Sequence, residues 1–178
     1  MSKTGQGKRA YPDGIGKEHV SPADGLRRHA SPLSLAVFGA VILLGLTGAL
    51  GHERDWQSGA NGTRLTVHAP EITRNGEFLE MRLTVEAGRA IEDLALGFDK
   101  ALWEDMTVNT MIPAATEETG MDGEFRFTFG PIDEGTTFDL KIDLQVNPDI
   151  VGGNAGVITV YDGDRPLTAV DVSVLVLP

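Results

Sequence analysis

The feature that most constrains this chain is a long apolar run near its beginning. Between Arg28 and Glu53 there is no Asp, Glu, Lys or Arg, and from Leu33 to Leu50 the sequence reads LSLAVFGAVILLGLTGAL. As a helix this run is about 27 Å long, close to the hydrocarbon thickness of a bilayer. It lacks the polar stripe that an amphipathic core helix shows. The sequence therefore predicts a transmembrane helix over 32–51.

Five large apolar side chains spaced along the run are predicted to contact lipid: Leu33, Phe38, Ile42, Leu46 and Leu50. Small residues at four-residue spacing predict close packing against another helix, with a homo-oligomer left open: Ala36, Ala40, Gly45 and Ala49. The alternative to a retained span is a cleaved signal peptide, because Ala49-Leu50-Gly51 resembles a small-x-small cleavage site. The run is longer than the apolar region of most signal peptides, which favours an anchor.

Charge is distributed unevenly around the predicted span. Basic residues outnumber acidic ones in 1–31, whereas acidic residues dominate 52–178 and bring the formal net charge of the chain to -11. Because Arg27 and Arg28 immediately precede the span, the positive-inside rule predicts a cytoplasmic N-terminus and an exported C-terminal domain, periplasmic or extracellular. The expected location is a single pass through the cell inner membrane. An acidic chain of this kind is not expected to bind nucleic acid.

The segments that flank the span are predicted to be irregular. Residues 1–31 are rich in Gly and Pro and poor in large apolar side chains, so we expect a disordered basic cytoplasmic tail. Residues 52–63 are expected to form a juxtamembrane linker, with Trp56 at the lipid interface.

From residue 64 the apolar period changes to two, which is typical of strands with one buried face. In Thr137–Val146, five apolar side chains alternate with polar ones. Similar patterns cover 64–69, 81–85, 91–98, 106–112, 125–129, 156–161 and 169–177. Turn sequences such as Asn75-Gly76 and Asp162-Gly163 separate them. The predicted fold class of 64–178 is an all-β, immunoglobulin-like antiparallel β-sandwich preceded by one transmembrane helix.

Two patterns carry a resemblance to a known family. Pro70 and Gly76 precede a long alternating strand, and a later strand ends in Leu144-x-Val146-Asn147-Pro148. In this the region 64–178 resembles the CARDB-like immunoglobulin modules of bacterial surface and periplasmic proteins. The resemblance implies an adhesion, spacer or subunit-docking module without catalysis. Trp103 is a candidate for the core tryptophan of such a fold, although the cysteine pair of antibody domains is absent.

The side chains needed for catalysis are scarce in the predicted exported part. It contains two histidines, His52 and His68, and two serines, Ser58 and Ser173, in positions that do not favour a Ser-His-Asp triad. We therefore expect no enzyme activity, no cofactor and no histidine-based zinc site. Calcium is a more serious alternative, because loop carboxylates are its preferred ligands; the candidates are Asp99, Glu104, Asp105, Asp149, Asp162 and Asp164.

Two functions of different classes remain. The first is a membrane-anchored accessory protein whose exported sandwich docks onto another envelope or integral-membrane protein. The run Val174, Leu175, Val176 and Leu177 is apolar on both faces, so this strand is either covered on both sides or offered to a partner. The second is a ligand-binding module that takes calcium or carbohydrate on its acidic loops.

Overall fold

The computed structural model describes residues 26–48, 51–121, 123–148 and 152–178. The chain divides at Thr47/Gly48 into a helical unit and a β unit. Residues 1–25, Ala49, Leu50 and Asp149 lie outside the described residues. They include most of the predicted tail, the predicted lipid contact Leu50, the predicted helix-packing residue Ala49 and the predicted calcium ligand Asp149.

The helical unit contains one described helix, α1 (Leu26–Leu46), which covers most of the apolar run. It begins at Leu26, within the segment predicted as a tail. Leu, Arg and Ala favour helix in the segment before Pro32, and Pro32 itself lies inside the helix, where it can donate no backbone hydrogen bond. The helix ends where Gly48 adopts a φ of 71°, a C-terminal position that suits glycine. Over the described part of the chain, no helix is both long and apolar enough to cross a membrane.

The β unit is a two-sheet sandwich, as the alternating pattern predicts. The five-stranded sheet has the order β1 (Glu53–Ala60), β2 (Thr63–Pro70), β4 (Phe78–Ala87), β9 (Thr137–Val146), β6 (Met106–Ile112). The six-stranded sheet has the order β3 (Ile72–Arg74), β11 (Arg165–Leu177), β10 (Gly152–Asp162), β5 (Ile91–Asp99), β8 (Glu124–Ile132), β7 (Glu117–Met121). A 3₁₀ turn, η1 (Lys100–Leu102), follows β5.

The core lies between the two sheets and is filled by the predicted apolar faces. In β9, for example, Leu140, Ile142, Leu144 and Val146 are buried and alternate with half-buried polar residues. All eight strands expected from the sequence are confirmed, and β6 and β9 have the predicted bounds. Described strands that were not predicted are β1, β3 and β7. The pairing is antiparallel except between β3 and β11, which run parallel over Leu175–Leu177.

The prediction of a linker over 52–63 is corrected by the structure, because Glu53–Ala60 forms the edge strand β1. It pairs with β2 along its whole length through a turn at Asn61-Gly62, where both residues have positive φ. An Asn-Gly turn of this kind matches the twist of a hairpin. Trp56 is 7% exposed and belongs to the sandwich core, not to a lipid interface. The sandwich therefore begins at Glu53 and not at residue 64.

Candidate functional site

The predicted docking strand is largely covered. Val174 and Val176 are buried in the core, whereas Leu175 is 44% exposed on the opposite face and Leu177 is half-buried. Both lateral sides of this end of β11 are paired, one with β10 and the other with β3. The structure therefore favours the first of the two alternatives, a strand that is a member of the sheet, and leaves Leu175 as its exposed side chain.

The five predicted calcium ligands that the structure describes, all except Asp149, are not brought together. The Asp162 carboxylate accepts hydrogen bonds from the backbone N–H groups of Glu92 and Asp93, at 2.9 and 3.2 Å, and pairs with Arg165. Burial alone would raise the pKa of Asp162, but these hydrogen bonds together lower it.

The other acidic candidates are also separately engaged or solvated. Asp164 pairs with Arg126 at 3.0 Å, and Asp99 accepts the N–H of Val157 at 2.9 Å. The side chains of Glu104 and Asp105 are exposed in the turn before β6. Within the described ranges no group of three or more His, Cys, Asp or Glu residues is placed to hold a metal ion.

The residues predicted to contact lipid or a second helix lie on α1, apart from Ala49 and Leu50. Leu33, Phe38, Ile42 and Leu46 are all largely exposed, as are Ala36, Ala40 and Gly45. Exposure of this kind is equally compatible with lipid, another helix or water around α1.

The sandwich is open where β6, at the edge of the five-stranded sheet, approaches β7 and β8 at the edge of the six-stranded sheet. A groove of about 570 Å³ lies there. We call it the edge groove, and define it by its lining: Trp103, Met106, Val108, Asn109, Thr110, Met111, Ala114, Ala115, Glu118, Phe125 and Phe127. Apolar side chains form most of this lining, and Glu118 is its one charged residue.

The inner side of β6 explains why the edge groove is apolar. Val108 pairs with Leu144, and directly opposed residues of an antiparallel pair share a face. Leu144 is fully buried, yet Val108 is 40% exposed, because no strand follows β6 in its sheet. Phe125, on the core-facing side of β8 with the buried Phe127, is likewise 38% exposed. Two side chains of the core pattern are thus left uncovered at this edge.

Trp103 and its aromatic neighbours form the base of the groove. Its ring stacks on Phe98 with centroids 4.3 Å apart, and the rings of Phe127 and Phe125 follow at 5.8 and 6.3 Å. The Lys100 ammonium lies 5.4 Å from the centroid of the Phe125 ring. Trp103 itself is 6% exposed, and its buried Nε1 has no hydrogen-bond partner among the described residues. Leaving such a donor unpaired costs about 1–3 kcal/mol.

Close packing behind the groove positions Trp103. The turn η1 leads directly into it, and the Trp103 N–H donates to the Lys100 carbonyl at 3.1 Å. Gly156 of β10 lies against this turn so closely that a Cβ there would be 2.9 Å from the Leu102 Cβ. The core tryptophan expected from the sequence is confirmed, and the glycine lets the turn approach the sheet.

The outer side of β6 also has exposed apolar side chains. Phe78 and Ile112 are 71% and 59% exposed. A second concavity, of about 380 Å³, lies between Phe78 of β4 and the Asn109–Thr110 part of β6. Thr110 donates a hydrogen bond to Asp143, which lowers the pKa of that carboxyl and ties β6 to β9 on the outer side.

The register of β6 changes at its centre. Val108 pairs with Leu144 and Thr110 pairs with Asp143, so Asn109 is the extra residue of a β-bulge. Asn109 lines both concavities, and its side-chain amide makes no hydrogen bond within the described residues. An exposed amide, able to donate and to accept, therefore lies in the middle of an uncharged edge strand.

Sequence reasoning did not identify the edge groove. The apolar alternation predicts β6 with its observed bounds and the alternating phenylalanines of β8. It does not predict which strands form the edges of the sheets. Val108, Phe125 and Glu118 become neighbours only through that arrangement. The available signal is the composition of 106–112, which has no charged residue to protect an edge.

No family model matches this chain, and no curated protein matches it. Family membership in the CARDB-like group is therefore not shown. Among solved structures, CaCohA2 from Clostridium acetobutylicum in solution is 12% identical, over 59% of this chain and 84% of that one, with a TM-score of 0.43. The complex of a CaDoc0917 variant with CaCohA2 is 13% identical, over 60% and 94%, with a TM-score of 0.41. A non-cellulosomal cohesin from Archaeoglobus fulgidus is 9% identical, over 60% and 86%, with a TM-score of 0.40.

Proposed function

We propose that this chain is a non-catalytic interaction protein whose sandwich binds another protein at the edge groove. The observation that carries this proposal is the exposure of Val108 and Phe125, which follow the core pattern and yet are uncovered. The large apolar side chains that are substantially exposed in the described sandwich are Phe78, Val108, Ile112, Phe125 and Leu175. The first four of these lie on β6 or close to it, in or beside the edge groove. Grouped exposure of this kind is typical of an interaction site, whereas single exposed apolar residues are not informative.

The contacts of the nucleophile and base candidates support a role without catalysis. The His68 ring nitrogens are both occupied, by Asp55 at 2.6 Å and by Glu53 at 3.0 Å. Ser58 makes its hydrogen bond with the Thr168 hydroxyl, at 2.9 Å. A serine nucleophile requires a histidine base within hydrogen-bond distance. Ser58 and His68 form their hydrogen bonds with other residues and not with each other.

Membrane anchoring is part of the same proposal. Its support is the uncharged run from Leu33 to Leu50 together with Arg27 and Arg28 before it. The sandwich is then exported and the N-terminus cytoplasmic, in a CARDB-like arrangement of anchor and module. Extraction of membranes at alkaline pH tests the anchor, because an integral protein stays in the pellet. Release of the full chain into the supernatant would contradict it.

The docking role is tested by purifying the full chain in mild detergent from cells that make it. We expect a stoichiometric partner to accompany the wild type and the control variant Leu175→Asp, whose changed side chain lies on β11, next to the opposite edge strand β3 of the six-stranded sheet. We expect the partner to be lost from Val108→Asp. Equal melting temperatures of both variants would show that folding is intact, and retention of the partner by Val108→Asp would refute the proposal.

A further inference from the structure

We infer that the occupant of the edge groove is an extended, positively charged segment of a partner protein, which adds to β6 as a further strand. It places one apolar side chain over Trp103 and a basic side chain opposite Glu118. This inference rests on the proposed function and specifies the partner's chemistry.

The edge strand β6 is suited to strand addition. An edge strand presents unpaired backbone N–H and C=O groups, and proteins usually protect such edges with charged side chains. The sequence MTVNTMI of β6 has none, whereas β7 across the groove carries Glu117 and Glu118. The bulge at Asn109 is the protective feature that β6 does have, and it divides the strand into two short edges on either side of an unpaired amide.

The surfaces on the two sides of β6 match the alternation of an added strand. Successive side chains of a strand point to opposite faces. On the inner face they would enter the edge groove above Trp103 and Phe127, and on the outer face they would lie beside Phe78 and Ile112. An occupant with apolar side chains on one face alone would leave one of these exposed surfaces uncovered.

The charge around the groove indicates a basic occupant. Glu118 lies inside the lining, on the same face of its sheet as its cross-strand partner Phe127. Glu104 and Asp105 precede β6, and Lys100 beside Phe125 is the one cation among these described neighbours of the inner face. A second copy of this chain would bring the same acidic groups into opposition, which disfavours self-pairing through β6.

The Asn109 amide adds a hydrogen-bonding feature to the groove. Asn109 is exposed, and its side-chain amide makes no hydrogen bond within the described residues. An extended segment supplies backbone carbonyls and N–H groups along its whole length, so it can pair with this amide as donor and as acceptor. A compact apolar ligand would offer the amide neither.

The test is calorimetric titration of the full chain in detergent with three blocked ten-residue peptides. In the basic peptide, each of the two faces of the extended chain carries both Lys and an apolar residue, Leu or Val; the acidic peptide has Glu at each Lys; the third is the basic peptide with an N-methyl group on every backbone nitrogen. We expect one basic peptide to bind per chain and the acidic one to bind about tenfold more weakly or not at all. The N-methylated peptide should also fail, because it cannot donate to a strand edge.

Variants locate the binding. Val108→Asp should weaken the basic peptide about tenfold or more, since a charge would enter the apolar lining. Glu118→Gln should weaken it about two- to fivefold at low salt, an effect that high salt removes. Leu175→Asp should bind as the wild type does. Hydrogen exchange of residues 106–112 should slow in the bound wild type.

Several outcomes would overturn the inference. Equal binding of the basic and acidic peptides would remove the charge argument, and unchanged binding by Val108→Asp would remove the site. Self-association that Val108→Asp abolishes, measured by sedimentation, would make the occupant a second copy. If the co-purifying partner depends on Val108 but no basic peptide binds, this inference fails and the proposed function stands. If the partner does not depend on Val108, both fail.

Discussion

Replacing Gly156 with alanine should destabilise the sandwich and disturb the base of the edge groove. An added Cβ would lie 2.8 Å from the Asp99 Cβ, 2.9 Å from the Leu102 Cβ and 3.2 Å from the Leu102 nitrogen. These atoms belong to or adjoin the backbone of η1 and the residue before it, so no rotamer change can move them away. The turn would have to shift from the sheet and take Trp103 with it.

The expected magnitude follows from overpacking of a close-packed interior. Forcing an extra methyl group into such a site costs about 1–3 kcal/mol. Alanine also restricts the unfolded chain, which offsets about 0.4–1 kcal/mol of that cost. The net cost is therefore about 0–2.6 kcal/mol, and at roughly 3–5 °C per kcal/mol for a domain of this size we expect the melting temperature to fall by up to about 13 °C.

Gly153 of the same strand provides the matched control. Its added Cβ would meet only the Val174 carbonyl oxygen, at 4.0 Å, so Gly153→Ala should melt at or above the wild-type temperature. Melting is followed by far-UV circular dichroism, and the near-UV signal of the tryptophans reports the shift of Trp103. If Gly156→Ala melted like Gly153→Ala with an unchanged near-UV spectrum, the close approach of η1 to β10 would be refuted.

The remaining predictions concern the rest of the sandwich. The hydrogen bond to Asp55 raises the pKa of His68 above 6.5, so its contribution to stability is present below pH 6.5 and is lost as the pH rises through the raised pKa. Urea midpoints should therefore fall as the pH rises above 6.5 in the wild type and change less in His68→Gln. Deleting 170–178 should unfold the domain, because Val172, Val174 and Val176 are core residues, and loss of the thermal transition would show it. Asp162→Ala should cost about 1–3 kcal/mol in urea denaturation, since the N–H groups of Glu92 and Asp93 lose their acceptor; in the wild type this contribution should also be lost as the pH falls through the lowered pKa of Asp162. Millimolar calcium should leave the melting temperature unchanged, because the loop carboxylates that the structure describes are not gathered at one place.

The parts of the fold that could be predicted are those encoded by a local period. In β9 and β6 the apolar alternation and the flanking turns define both ends of the strand, and the predicted bounds are the observed ones. Strand β1 escaped prediction because Trp56 is its single large apolar residue, and its pairing depends on the hairpin turn that follows. Strand β3 has three residues, too few to show any period.

The candidate site could not be predicted, because it depends on strand order and not on local pattern. Val108 and Leu144 have equivalent places in their strands, yet one is at an edge and the other in the interior of the sheet. The predicted docking strand illustrates the converse. Its sequence is apolar on both faces, which indicated a docking site. In the structure, however, β3 and β10 pair with both of its lateral sides.

The central claim is that the edge groove is where this chain meets another protein. The most direct measurement introduces a photo-crosslinking amino acid at position 108 of the full chain in living cells, and at position 175 as the control. The account predicts a discrete crosslinked protein from position 108, identified by mass spectrometry, and none from position 175. Crosslinks from position 175 with none from position 108 would place the interaction elsewhere and contradict the account.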